Sequence, residues 1–146
     1  MVAINEGKVL LQKVVKDGYW FLPGGRAEFQ ETAEETLRRE MREELQTAIT
    51  VERLLWVVEN FFEHSGKAFH ELGLYFLMSF PKASPVLHAD HTFFVEEASK
   101  DFIFQWQPLE SLKELLLYPS FLQSALQELP PGAEHIVQID LEPERR

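Results

Sequence analysis

Between Glu31 and Glu44 the chain reads ETAEETLRREMREE, and six of these residues are glutamate. Part of this run suits a solvated helix face. Glu34 with Arg38, Glu35 with Arg39 and Arg39 with Glu43 are spaced i,i+4, each pair worth a few tenths of a kcal/mol. The remaining carboxylates do not suit such a face. At about 100° per residue, Ala33, Leu37 and Met41 form one narrow apolar stripe, and Glu44 projects inside it. Glu40 lies at the stripe's edge, roughly 40° from Glu44, and Glu43 is next round. A carboxylate turned toward a core is costly unless a cation neutralises it or its pKa shifts. Three converging carboxylates therefore ask for a divalent metal, and oxygen-only ligands suit Mg²⁺ or Mn²⁺, which leave positions for water and substrate phosphates.

The elements that must hold these groups are a Pro23-Gly24-Gly25 loop, read from its turn residues, and a helix from about Thr32 to Leu45. Gly25, five residues, Glu31, seven residues and then Arg39-Glu40-Met41-Arg42-Glu43-Glu44 resembles the Nudix box, G-x5-E-x7-R-E-U-x-E-E-x-G-U with U apolar. Every defined position up to Glu44 matches. The departures are Gln46 in place of glycine and Thr47 in place of an apolar residue. A glycine just past a helix serves as a left-handed cap, so Gln46 is expected to cost about 1 kcal/mol or to end the helix differently. Neither departure touches a metal-binding group.

The resemblance covers Val2 to about Leu117, and it implies an α/β fold, a Nudix-type α/β/α sandwich with a mixed β-sheet. It implies hydrolysis of the diphosphate in a nucleoside diphosphate linked to another group, by attack of water on phosphorus with Mg²⁺ or Mn²⁺ as cofactor. Metal ligands would be Gly25 through its carbonyl, Glu40, Glu43 and Glu44, with Arg39 orienting Glu43 and Glu31 bracing the loop against the helix. Glu43 is the first choice of general base, and Glu97, or its neighbour Glu96, is the runner-up. Substrate contacts are expected from Arg26, Glu59, His70 and Trp106, with Phe61 and Phe62 as further stacking surfaces; core packing is the competing role for the aromatics. The alternative function is a Nudix-like nucleotide-binding or regulatory module that does not cleave its ligand.

The composition is consistent with this reading. A chain of 146 residues with 45% hydrophobic content suits one globular domain over 1–146. A net charge of −10 sets it against nucleic-acid polymers, whereas a small nucleotide-derived substrate is compatible because a metal inverts the local charge. The sequence has no cysteine and shows neither a membrane span nor a signal peptide, which fits a cytoplasmic protein. By the family pattern Met1 sits later than the usual start, and the short first strand is a route to a homodimer.

Read in order, strands are expected at Val2–Ile4 and Lys8–Val15, then Ile49–Phe62 and Ala68–Phe80 as a hairpin about Glu63–Lys67. Val86–Lys100 reads as loop, its His88, Asp90 and His91 a solvated cluster rather than a metal site. Phe102–Trp106 reads as a strand, and Pro108–Leu117 as a helix with leucines 109, 112, 115 and 116 facing the core. Pro119–Leu129 reads as another helix. His135–Leu141 reads as a last strand grading into a partly disordered tail over 139–146.

Overall fold

A computed structural model describes residues 1–88, 93–97 and 100–141, the side chains of 93–100 lying outside that description. Strand β1 (Ile4–Asn5) turns into β2 (Lys8–Val14) through Glu6 and Gly7, whose φ values of 49° and 73° make the mirror-image turn that matches strand twist. Helix α1 spans Ala33–Leu45. The long hairpin is β3 (Thr50–His64) and β4 (Lys67–Ser79), closed by Ser65 and Gly66 at φ 53° and 73°. Strands β5 (Phe93–Glu97) and β6 (Lys100–Pro108), a short helix α2 (Leu122–Ala125) and β7 (Glu134–Asp140) complete the order.

The strands form two sheets, ordered β1-β2-β6-β5 and β4-β3-β7. The second is mixed: β3 pairs antiparallel with β4 and parallel with β7. Val2 joins them. Its N–H donates to Phe76 O and its carbonyl accepts from Met78 N on β4, while Ala3 O accepts from Leu10 N on β2. The backbone of Val2 and Ala3 is thus bonded to β4 and β2, and β1 itself forms one edge of its sheet.

Alternation along β2 explains the sandwich, because successive side chains point to opposite faces. Leu10 packs with Leu37 and Met41 of α1 and with Met78, Phe80, Val86 and Phe104. Val9 and Leu11 face the other way, toward Leu55, Trp56, Val58 and the helical layer of Leu112, Leu122 and Leu126. Each face of the sheets carries its own helical cover.

Four expectations are corrected. Within Val86–Lys100, read as loop, Phe93–Glu97 is a strand in register with β6; Asp90 and His91 lie outside the described residues. Pro108–Leu117 is no α-helix but a 3-10 turn at Leu109–Glu114. Residues 116–118 instead exchange hydrogen bonds with Trp20, from Trp20 N to Leu116 O and from Tyr118 N to Trp20 O, and Leu116 is left exposed. The helix expected over Pro119–Leu129 shrinks to α2. Finally, Ile139 and Asp140 are not tail: they pair with Phe61 and Phe62 of β3.

Candidate functional site

Helix α1 opens on a capping box. Thr32 Oγ accepts from Glu35 N, and the Glu35 carboxylate accepts from Thr32 N at 2.8 Å. The signal Thr-x-x-Glu was present in the sequence, and it explains why Glu35 does not reach Arg39. At the other end Gln46 adopts the left-handed conformation, φ 51° and ψ 37°, its N–H bonded to Met41 O. The cap that glycine usually makes is therefore kept without glycine.

Between these ends the acidic residues divide as their angles require. Arg38 pairs with Glu34 in solvent at 3.3 Å. Leu37, Met41 and Glu44 are buried, Glu44 to 8% exposure. Arg39 is the hub. Its Nε and Nη2 fork onto Glu31 at 2.7 and 3.0 Å, and Nη1 donates to Glu40 at 2.8 Å and to Glu43 at 3.3 Å. Nη2 also donates to Arg26 O, tying the glycine loop to the helix. Glu31 further accepts from Glu28 N and from the Thr36 hydroxyl. The Arg39 guanidinium, then these donors, hold the Glu31 carboxyl down to about 2, and Glu31 in turn raises Arg39 above its ordinary value. Glu31 is therefore a fixed anion and not a proton carrier.

Gly25 lies against this group. A Cβ built there would fall 2.2 Å from the Glu40 carboxylate, so main chain and carboxylate are immediate neighbours only because the side chain is absent. The loop is also tied at Pro23, whose carbonyl accepts from the Met1 amino group at 2.8 Å.

The donors fit a hard divalent cation, being carboxylates and one main-chain carbonyl. Their present arrangement is organised by Arg39: among the described residues no three acidic or histidine side chains converge as a ready ligand set. His88 instead faces the Lys82 carbonyl. Glu96 and Glu97 fall on β5, a strand, and their side chains lie outside the description.

The residues singled out for substrate fall in three places. The Arg26 side chain is exposed on the loop. Trp106 is partly buried, its indole N–H donating to Val86 O at 2.8 Å and its ring in a T-shaped contact with Phe80. Glu59 and His70 share one face of the long hairpin, because Glu59 and Phe61 alternate along β3 and Phe61 is paired with His70. His70 is exposed and stacks on Phe61 at 4.1 Å between centroids. Glu59 meets His135 Nε2 at 2.9 Å, a partner no local spacing could have indicated. Along β4, Leu72, Leu74, Phe76 and Met78 line that same face; α1 packs over it near Met78, and Leu72 and Leu74 are exposed beyond the helix.

The match to the family model of the NUDIX domain spans residues 1–129. This chain belongs to the Nudix family of pyrophosphohydrolases. No curated protein matches it. Solved structures with the same fold include an ADP-ribose pyrophosphatase from Streptococcus suis 89-1591, at TM-score 0.60 and 16% identity over 94% of each chain. A NUDIX hydrolase from Nitrosomonas europaea gives TM-score 0.60 at 19% identity, covering 95% of this chain and 76% of that one. A mutator MutT protein from Bacillus halodurans gives 0.56 at 20%, covering 92% and 85%. Among the described residues of this Nudix chain, no helix is long and apolar enough to cross a membrane.

Proposed function

We propose that the chain hydrolyses the diphosphate linkage of a nucleoside diphosphate joined to another group, by attack of water on phosphorus, with Mg²⁺ or Mn²⁺ held by Glu40, Glu43, Glu44 and the Gly25 carbonyl. The observation that carries this reading is the convergence of Glu31, Glu40 and Glu43 on Arg39 with Gly25 pressed onto Glu40. A bound divalent ion would supply charge neutralisation on the phosphate oxygens and a more acidic water. The chain's own share is positioning, which dominates phosphoryl transfer. Glu43 is half-exposed beside Arg39 and would take the proton from an attacking water, a role its access to solvent supports. Glu31 and Arg39 keep the carboxylates in place. Arg26, exposed on the loop, is available to a phosphate oxygen. The open face bearing Phe61, His70 and Leu72 continues from the sheet under α1 and suits the flat, partly apolar nucleoside end.

The test is a panel of nucleoside diphosphate derivatives near pH 8 with Mg²⁺ or Mn²⁺, wild type beside Glu43→Gln. Metal-dependent release of two phosphorylated or phosphate-bearing products, lowered by two or more orders of magnitude in the variant with an unchanged melting temperature, is the expected result. A variant that retains most of its turnover removes Glu43 as base.

A further inference from the structure

We infer that the Thr36 hydroxyl is a positioning group for the carboxylate site, fixing Glu31 so that Glu31 fixes Arg39 and Arg39 holds Glu40 and Glu43. The inference deepens the hydrolase reading above and rests on it. Thr36 is only 4% exposed, and its backbone N–H is already bonded to Thr32 O. Its Oγ stands 2.8 Å from Glu31 Oε2 and 3.0 Å from Thr32 O. A hydroxyl has one proton to give. Were it given to the Thr32 carbonyl, an oxygen lone pair would face the carboxylate at the shorter distance; the charged acceptor takes it.

Glu31 then receives four hydrogen bonds: Arg39 Nε on Oε1, and Arg39 Nη2, Glu28 N and Thr36 Oγ on Oε2. The guanidinium fork sets the plane of the carboxylate from one side. The other side is set by the loop N–H of Glu28 and the helix hydroxyl of Thr36, which among the described residues is the single helix donor to Glu31 besides Arg39. Without it the carboxylate can pivot about the fork, and Arg39 with it. The spacing adds to the argument. Thr36, Arg39, Glu40 and Glu43 stand at i, i+3, i+4 and i+7, one ridge of α1, so a shift at Thr36 is delivered along the row that carries the carboxylates.

The test compares Thr36→Val, which keeps the volume and removes the proton, with Thr36→Ser, which keeps the proton. Two readouts are taken on the full chain: Mg²⁺ binding by calorimetry without substrate, and kcat and KM on the best substrate of the panel. Expected for valine is about fivefold weaker Mg²⁺ binding and about tenfold lower kcat with KM nearly unchanged, both restored by serine to within about twofold. Wild-type Mg²⁺ affinity in the valine variant overturns the inference, and so does serine impaired as much as valine, which would assign the effect to the lost methyl packing. Should valine fail to fold, Thr36→Ala set against Thr36→Ser makes the same comparison. A wild type that binds Mg²⁺ or Mn²⁺ yet cleaves nothing overturns the hydrolase reading, and the binding arm, run with the ion that binds, still decides the role of Thr36; a wild type that binds neither ion overturns both.

Discussion

One guanidinium serving three carboxylates leaves the Arg39 site with surplus negative charge, and that surplus is what a metal ion would relieve. Gly25 shows how little room the arrangement has. In Gly25→Ala the new methyl would collide with the Glu40 carboxylate, which is the far end of a flexible side chain and can swing aside. The fold should therefore survive, with a melting temperature within a few degrees of wild type, while turnover falls by about tenfold or more because Glu40 is displaced. Full activity in this variant would mean that Glu40 is not held against Gly25 when the enzyme works. The position of Glu44 was readable from helical periodicity alone, since a residue inside the apolar stripe must be buried, as it is. Glu31 was not readable that way. It stands eight residues before Arg39, outside any helical neighbour spacing, and reaches it only because the loop turns back at Gln30, where φ is 65°; family resemblance alone marked it.

Helix α1 is held at both ends by its own side chains and backbone. At Gln46 a side chain sits where the backbone wants none. Replacing it by glycine should relieve about 1 kcal/mol of left-handed strain and raise the melting temperature by about 2–4 °C without changing kcat. A lower melting temperature would show that the Gln46 side chain earns its place through contacts that outweigh the backbone cost. Among the elements, α1 and the hairpin were legible because each carries a long, unambiguous period or a strong turn signal. The stretch after Pro108 was not. Its leucines at 109, 112, 115 and 116 have helical spacing, yet residues 116–118 find better backbone partners in Trp20, a long-range pairing that outweighs local preference. The same limit applied to β5, where a short strand is specified by its register with β6 rather than by its own pattern.

At the scale of the whole molecule, acid stability should report the Glu31 anchor. Its folded pKa of about 2 lies below the ordinary 4.5, so the stability it contributes is fully present above about 4.5 and is lost as pH falls through that value toward 2. Melting temperature measured from pH 6 to 2 should fall less steeply below 4.5 in Glu31→Gln than in wild type; parallel curves would show that the anchor is not formed in solution. The sandwich was legible through the family resemblance, but how the sheets divide was not, because Val2 joins the second sheet by only two hydrogen bonds. The order of the second sheet has a consequence in time. Strand β3 is central, yet its two neighbours arrive by different routes: β4 closes through a two-residue turn, whereas β7 must return across some seventy residues to lie parallel beside it. The hairpin can form early and β7 only late. Until it does, β3 presents an open edge flanked by Trp56, Val58 and Phe61, and a chain nicked between α2 and β7 would keep that edge open to another strand, turning a folding delay into a route to aggregation.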